Sequence, residues 1–298
     1  MADRLEAARF IVNRNAGRHK TDLLQVLEGT LGSRPFDVLH TEYPGHAEEL
    51  ARTAVDDETP LVVAVGGDGT VNEVSRALLN SPAVLAVIPT GSGNAFARTL
   101  GIPLQPGDAC RFLLAEPVAE LPRVIDVGTI AGHCFLTTAG IGIDALTCSL
   151  YARGGGRSRR GLLPYLSSAM RAFRQYQPTE VTITVDDDAP IRLKPTLVTI
   201  ANGDQFGYGA VIAPGARMDD GELDLRAVGA RGGFKLLWDS RRLFTGSIDR
   251  LSDLHCGRGR SIRIERQHPG PIQVDGEVFE AEAVLETRVL TGALRVMA

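Results

Sequence analysis

The residues best placed to do chemistry are residues 66–73, GGDGTVNE, which directly follow the apolar run LVVAV at residues 61–65. An apolar, mostly β-branched run of that length predicts a buried strand, so Asp68 would stand at the strand's carboxyl end. Thr70, with Glu73 three residues later, predicts the N-cap and capping box of a following helix. A strand, a glycine turn and a helix in succession point backbone N–H groups at an anion, usually phosphate. The alternative is a tight turn in which Asp68 only hydrogen-bonds its own loop.

A second turn of the same kind follows the apolar run at residues 84–88. Residues 89–98 read PTGSGNAFAR and again place glycines between a predicted buried strand and a predicted helix. If the sheet is parallel, the first glycine turn (residues 66–69) and the second glycine turn (residues 89–94) lie side by side. The first turn does not have the fingerprint of a dinucleotide-binding fold, since Asn72 stands in place of its third glycine, nor that of a P-loop, since no lysine of the chain follows a glycine. The two turns together favour a phosphate site.

Carboxylates also cluster at glycines later in the chain. Residues 218–224, MDDGELD, offer carboxylate and carbonyl oxygens of the kind that bind Mg2+. Asp275 and Glu277 flank a glycine after the apolar run at residues 272–274. An Asp-Gly hairpin turn is the alternative at both places. Asp126 and Asp144 are isolated carboxylates in apolar, glycine-rich surroundings, where such groups are either structural and hydrogen-bonded or functional.

The elements that must position these residues change in character near Asp126. Up to about residue 114, four apolar strands alternate with helical segments, which predicts a parallel α/β domain over residues 1–126. After residue 116, strand-like runs at short spacing predict an antiparallel β-sandwich or barrel over residues 127–288. These runs are residues 134–139, 181–185, 197–201, 223–228, 261–265, 271–274 and 284–290.

Composition limits the classes of function. With 298 residues, of which 44% are hydrophobic, the chain can bury the cores of two domains. The net charge of −4 argues against nucleic acid as a partner. The four cysteines are widely spaced without a CxxC pattern, so neither zinc nor a disulfide framework is predicted. Without a signal peptide or an apolar stretch of about 20 residues, we expect a cytoplasmic protein.

Taken in order, these motifs resemble those of the diacylglycerol kinase and sphingosine kinase superfamily of lipid kinases. Residues 66–73 are similar to its nucleotide-binding signature, residues 89–98 to its second motif, and residues 274–277, VDGE, to its last motif. Ala95 departs from the Asp of many bacterial diacylglycerol kinases, as in sphingoid-base kinases. The resemblance implies an NAD kinase-like or diacylglycerol kinase-like α/β nucleotide-binding domain, a β-sandwich lipid domain, and a last strand, residues 289–297, that returns to the first domain.

The resemblance further implies transfer of the γ-phosphoryl group of ATP to a hydroxyl of diacylglycerol or of a sphingoid or ceramide-like lipid. Asp68 would organise the phosphates through Mg2+ as a catalytic residue. A loop at the end of the first strand, in which Arg14 replaces the family's usual proline, would contact ATP; on composition alone it could also be a simple turn. The implied nucleotide contacts are Asn13, Arg14, Asn15, Ala16, Gly17, Thr41, Gly67, Asp68, Gly69, Thr70, Val71, Asn72, Glu73 and Ser92.

In the second domain, Glu277, helped by Asp275, would be the general base that takes the proton of the lipid hydroxyl. Asp144 would lie near the lipid head group. A structural Mg2+ would be bound by the residues that match the family's magnesium loop, which are Asp220 through its side chain and Arg217 and Glu222 through backbone oxygens.

The four arginines at residues 153, 157, 159 and 160 surround three glycines, which is typical of a solvated loop. A lipid kinase, however, needs attraction to an anionic membrane surface, so we expect peripheral contact with the inner membrane face. The family also suggests a homodimer. Two other hypotheses are an NAD kinase-like enzyme with a soluble substrate and a nucleotide-binding or lipid-binding protein without catalysis.

Overall fold

The described residues belong to two compact units. The structure is a computed structural model that describes residues 8–13, 36–114, 122–154, 162–230 and 233–298. The chain divides into a first unit, residues 1–125 with 292–298, and a second unit, residues 126–291. None of the helices in these described ranges is both long and apolar enough to cross a membrane.

The first unit is built on a parallel sheet. Its described elements are β1 (Ala8–Asn13), β2 (Phe36–Thr41), α1 (His46–Asp56), β3 (Leu61–Gly66), α2 (Asp68–Leu78), β4 (Val84–Pro89), α3 (Ala95–Thr99) and α4 (Pro106–Leu114). The strands lie in the order β2-β1-β3-β4, and all neighbouring pairs are parallel. Every residue of β3 and β4 is buried, as continuous apolar runs predict for central strands. The predicted parallel α/β domain is confirmed.

Helix α2 begins earlier than its capping pattern predicts. Gly67 is the N-cap and Asp68 the first helical residue, so the prediction that Thr70 is the N-cap is wrong. The Glu73 carboxylate does not complete a capping box with Thr70. It accepts a hydrogen bond from the backbone N–H of Ala47 at 3.2 Å, because α1 packs beside α2. Asp68 therefore lies in the first turn of the helix.

The second unit contains most of the remaining strands. Its described elements are β5 (Arg123–Ile130, of which the first residues belong to the first unit), β6 (His133–Phe135), β7 (Thr138–Gly142), α5 (Ile143–Arg153), α6 (Leu162–Gln175), β8 (Val181–Val185), β9 (Ile191–Leu193), β10 (Pro195–Ala201), β11 (Leu223–Gly229), α7 (Gly233–Phe244), β12 (Leu254–Gly259), β13 (Ser261–Arg266), β14 (Gly270–Val274), β15 (Glu277–Ala281) and most of β16 (Val284–Val296).

These strands form an antiparallel sandwich. One sheet has the order β12-β11-β10-β7-β14-β15, and the other contains β16-β13-β8-β9 with β5 and β6 beside β16. Buried side chains of both sheets share one core, including Ile141, Ile200, Leu225, Ile183, Ile264 and Leu285. The predicted antiparallel sandwich is confirmed. At its far end β16 reaches the first unit, where Arg295 and Val296 pair in parallel with β4.

The apolar run at residues 134–139 forms two strands, not the one that its sequence predicts. β6 ends at Phe135 and β7 begins at Thr138. The backbone N–H groups of Leu136 and Thr137 between them donate to the Asp275 carboxylate at 2.7 and 2.9 Å. The strand is interrupted here because these N–H groups donate to the Asp275 carboxylate and not to a neighbouring strand.

Candidate functional site

The two glycine turns lie against each other in the first unit. β3 and β4 pair so that Gly66 is opposite Pro89, and the N–H of Thr90 donates to the Gly66 carbonyl at 2.8 Å. A Cβ atom on Gly91 would lie only 2.6 Å from the Gly67 Cα. No side chain fits between the turns, so glycine is required for this approach.

Asp68 joins the first turn to the second. Its Oδ1 accepts a hydrogen bond from the backbone N–H of Phe96, in helix α3, at 3.3 Å. Gly67, the N-cap of the 11-residue helix α2, has no side chain with which to cap the first turn. An uncapped helix start of this kind is suited to a phosphate group.

The ends of β1 and β2 reach the same edge of the sheet. Asn13 and Thr41 are paired in register at the ends of these two strands. The Asn13 amide donates to the Thr70 hydroxyl at 2.9 Å, and Thr41 is buried. The structure thus brings Asn13, Thr41 and the first glycine turn together, whereas Arg14, Asn15, Ala16 and Gly17 lie outside the described residues.

Side chains of the same segment hydrogen-bond to the backbone of the second glycine turn. Asn94 adopts a left-handed conformation (φ 50°), and its amide donates to the Gly91 carbonyl at 3.0 Å. The Arg98 guanidinium donates to the Gly93 carbonyl at 3.0 Å. Ser92, between these two glycines, is exposed. Among the described residues, the buried Asn94 Oδ1 and Thr90 hydroxyl meet no hydrogen-bond partner. Buried polar atoms of this kind, a glycine cradle and a carboxylate fit a nucleotide phosphate with its Mg2+.

The remaining predicted nucleotide contacts are on α2. Val71 and Asn72 are buried, and the Asn72 side-chain oxygen accepts a hydrogen bond from Arg76 at 2.5 Å. Gly69 is partly exposed in the first turn of the helix. Val71 and Asn72 therefore face the body of the unit, whereas residues 67–69 at the start of the helix are partly exposed.

In the second unit, Asp275 is fully engaged by the backbone around it. Its carboxylate accepts hydrogen bonds from the N–H groups of Leu136, Thr137 and Thr138 and from the Thr137 hydroxyl, at 2.6 to 3.1 Å. Asp275 and Gly276 both have positive φ angles, 47° and 84°, between the paired residues Val274 and Glu277. This is the geometry of a tight two-residue hairpin. The Asp-Gly hairpin that the sequence offers as an alternative therefore exists, with its Asp anchored to another strand.

Glu277 differs from its neighbour. It begins β15 with an exposed side chain, two residues after the anchored Asp275. The same turn thus carries one carboxylate that is fixed and one that is open to solvent.

Asp144 is a buried acid in the first turn of α5. Burial raises its pKa to about 7, against the opposing effects of the Ala145 N–H and the Gln273 amide. Its Oδ1 accepts the Ala145 N–H at 2.7 Å, while its Oδ2 is buried without a hydrogen bond in the described structure. Burial also raises the pKa of Tyr165 well above its usual value, and the Asp144 charge contributes to that shift. The Asp144 side chain is thus a buried acid with one oxygen that makes no hydrogen bond to the described protein atoms.

The carboxylates of the acidic loop, residues 217–224, contact arginines and the loop backbone. Asp220 Oδ2 lies 2.5 Å from Arg258 Nη2, and Asp220 Oδ1 accepts the Glu222 N–H at 3.1 Å. The Arg217 guanidinium lies 3.2 Å from Asp219. Among the described residues, no group of three or more His, Cys, Asp or Glu side chains could hold a metal ion. Asp220, the predicted structural Mg2+ ligand that would use its side chain, thus contacts Arg258 and its own loop, while the predicted ligands Arg217 and Glu222 would use backbone oxygens.

Two residues of this region were missed by sequence reasoning. The Asn202 amide, which is buried, donates to the carbonyls of Asp126 and Leu136 at 2.9 and 2.8 Å. Thr137 supplies two of the hydrogen bonds that hold Asp275. An Asn directly after the apolar strand β10 was a usable signal, but nothing local distinguishes Thr137.

Asp126 accepts the Gly221 N–H at 2.7 Å and so anchors the acidic loop.

Comparison with known proteins gives matches to both halves of the chain. The diacylglycerol kinase catalytic domain matches residues 7–130, and the YegS C-terminal NAD kinase beta sandwich-like domain matches residues 137–298. A probable YegS-like lipid kinase of Chromohalobacter salexigens is 34% identical over 252 residues, which is 78% of this chain and 74% of the relative. A diacylglycerol kinase of Bacillus subtilis is 34% identical over 230 residues, 74% of this chain and 73% of the relative.

A solved structure agrees with these matches. The crystal structure of a putative diacylglycerol kinase from Bacillus anthracis superimposes with a TM-score of 0.77 at 26% identity, and covers 98% of this chain and 96% of the other.

Proposed function

Because the chain belongs to the family of diacylglycerol kinases and YegS-like lipid kinases, we propose that it transfers the γ-phosphoryl group of ATP to a hydroxyl of a membrane lipid. The observation that carries the proposal is the contact between the two glycine turns, with Asp68 hydrogen-bonded across them. Phosphoryl transfer depends mainly on positioning and on charge stabilisation, and this arrangement offers both.

The first unit would bind ATP through its phosphates. The open start of α2 would face them, with the exposed Ser92 hydroxyl on the neighbouring turn. Asn13 would keep the Thr70 hydroxyl oriented through their 2.9 Å hydrogen bond. Mg2+ bound with the nucleotide would neutralise phosphate charge, and Asp68 is the carboxylate that would hold it.

The second unit would supply the base. A base must lie within hydrogen-bond reach of the substrate hydroxyl. Asp275 accepts four hydrogen bonds from β7 and the residues before it, so we assign it a positioning role in which it fixes the hairpin. Glu277, exposed at the start of β15, would accept the proton.

Asp144 would bind the polar end of the lipid. Its buried Oδ2 has hydrogen-bonding capacity that the described protein atoms do not use. A lipid hydroxyl or amine would satisfy it and lower the cost of burying the acid. Tyr165 and Tyr176 are near enough for its charge to raise their pKa values further, beyond the larger effect of burial.

Helix α6 would contact the membrane. It exposes an apolar stripe of Leu163, Leu166 and Met170, with exposed fractions of 79%, 47% and 41%. The spacing of three and four residues places them on one face, and Arg171 and Arg174 are exposed on the same helix, which has no acidic residue. Such a helix suits the surface of an anionic bilayer.

Of the four arginines expected at the membrane, Arg153 is exposed at the end of α5, whereas residues 157, 159 and 160 lie outside the described ranges.

The test is transfer of labelled γ-phosphate from Mg-ATP into organic-extractable product. Mixed micelles of diacylglycerol, sphingosine, ceramide or phosphatidylglycerol would serve as acceptors, with NAD as the soluble acceptor. We expect label in one lipid and none with Asp68→Asn. Asp56→Asn, which changes an exposed carboxylate at the end of α1, should retain activity. Label in NAD alone would identify a soluble-substrate kinase, and ATP binding without transfer to any acceptor would identify a non-catalytic binding protein.

A further inference from the structure

We propose that the Arg258 guanidinium holds the acidic loop in place of a divalent cation. Arg258 lies among three carboxylates. Its Nη2 is 2.5 Å from Asp220 Oδ2, and its Nε is 3.3 Å from Glu222 Oε2 and 3.6 Å from Asp224 Oδ2. One guanidinium thus contacts a set of carboxylate oxygens that would otherwise attract a metal.

Strand pairing brings Arg258 to this position. In the antiparallel pair β11 and β12, Asp224 is directly opposite Arg258 and Leu223 is opposite Gly259. Side chains directly opposite each other lie on the same face of a sheet, so the arginine is held beside the end of the acidic loop. The Gly221 N–H donates to the buried Asp126 carboxylate at 2.7 Å and fixes the middle of the loop.

A metal ion and this arginine exclude each other. Mg2+ binds oxygen at about 2.1 Å and requires nearly octahedral geometry. On the Asp220 carboxylate it would stand beside the guanidinium that contacts Oδ2, while Oδ1 already accepts the Glu222 N–H. Two positive charges at that separation repel each other, so a bound cation would require Arg258 to leave.

This role goes beyond the proposed kinase function because it concerns how the second unit keeps its loop ordered. With Arg258 in place, the stability of the loop is independent of divalent cations. Without the guanidinium, Asp220 and Glu222 lose their counter-charge and gain affinity for a cation, whereas Asp224 keeps its pair with Arg226 Nη1 at 3.2 Å. The substitution Arg258→Gln should therefore convert a metal-independent loop into a metal-dependent one.

The experiment is thermal unfolding of the full chain without nucleotide, in EDTA and in MgCl2. We expect the Tm of the wild type to be the same in both. For Arg258→Gln we expect a Tm lower by about 3–6 °C in EDTA and at least half restored by Mg2+. The double variant Arg258→Gln/Asp220→Asn should lose that response. Arg258→Lys, which keeps the charge, should remain insensitive to Mg2+ and provides a folded reference if Arg258→Gln is unstable.

Arg263→Gln is the matched control. Arg263 has a side chain 46% exposed, compared with 43% for Arg258, and pairs with Glu265 and Glu286 on strands. We expect no Mg2+ response from this variant. A wild type whose Tm rises with Mg2+, with the rise lost in Asp220→Asn, would overturn the proposal. An Arg258→Gln variant whose loss of Tm is unaffected by Mg2+ would overturn it as well.

Discussion

At the scale of single residues, the two carboxylates of the β14–β15 hairpin have different surroundings. Asp275 accepts four hydrogen bonds, and replacing it would leave three backbone N–H groups without their acceptor. Glu277 is exposed at the start of β15. The motif Val-Asp-Gly-Glu therefore combines an anchored carboxylate with an exposed one, which its sequence alone does not distinguish.

Glu277→Gln removes the proposed base while it keeps the size and polarity of the side chain. We expect kcat to fall about 100-fold or more, the usual contribution of a general base, with the Kd for ATP unchanged because the proposed nucleotide contacts are on the first unit. Steady-state kinetics with lipid micelles and ATP-binding titrations measure the two quantities. Glu280→Gln, another exposed glutamate of β15, should retain nearly full kcat. A Glu277→Gln enzyme with near-normal kcat would remove Glu277 from this role.

Asp144 should reduce stability as the pH rises. Burial raises its folded-state pKa to about 7 from 3.8, so the unfolded chain releases its proton first. The loss of folding free energy that this raised pKa causes is absent below about pH 4, grows between about pH 4 and 7, and is complete above about pH 7. With about 1.4 kcal/mol for each pKa unit, its upper bound is about 4 kcal/mol.

Asp144→Asn should therefore raise the Tm relative to the wild type more at pH 8 than at pH 5, as measured by calorimetry. Asp186 is the opposite control. Burial, the largest single effect, raises its pKa, but the hydrogen bonds from the N–H groups of Ser261 and Arg260 and from the Ser261 hydroxyl together lower the pKa further than burial raises it. Asp186→Asn should lose stability at pH 8 and have a smaller effect as the pH falls below 4. A Tm difference for Asp144→Asn that does not vary with pH would contradict the assignment.

At the scale of elements, the sequence predicts what is encoded locally. The apolar runs of β3 and β4 and the glycines after them predict two turns at one edge of a parallel sheet, and the observed register agrees. The predicted start of α2 is wrong because the Thr70–Glu73 pattern has the sequence of a capping box, whereas the Glu73 carboxylate accepts a hydrogen bond from the Ala47 N–H of α1. The link from Asp275 to Leu136 joins residues 139 apart in sequence, so no local pattern reveals it.

The contact between the glycine turns gives a prediction at this scale. Gly91→Ala would place a Cβ atom 2.6 Å from the Gly67 Cα and 2.7 Å from Asn94 Oδ1. Since backbone must move to admit it, the turns should separate, and we expect the Kd for ATP to rise at least about tenfold, or about 1.4 kcal/mol. Gly270→Ala, whose Cβ would find its nearest neighbour at 3.7 Å, should leave ATP binding unchanged. Equal Kd values for the two variants in calorimetric titration would show that the close approach is not needed.

At the scale of the whole molecule, charge has to be considered by location. The chain carries a net charge of −4, which would not draw it to an anionic bilayer. Charges more than about 10 Å from a surface are largely screened at 0.1 M salt, so the face that approaches the lipid determines the attraction. Helix α6 carries arginines and no acidic residue beside its apolar stripe. Neither the charge balance nor the composition of the chain reveals this, because it depends on which side chains of α6 are exposed.

Two double variants separate local from overall charge. Arg171→Gln/Arg174→Gln and Arg192→Gln/Lys194→Gln each remove two exposed cations and change the net charge equally. Because each basic residue near an anionic surface contributes about 1 kcal/mol, the α6 variant should partition into anionic vesicles about 30-fold less well, as measured by cosedimentation at 0.1 M salt. We expect the variant near β9 to bind within about twofold of the wild type, because its two cations are not on α6. An equal loss in both variants would mean that overall charge controls binding, and no loss in either would remove α6 from the membrane surface.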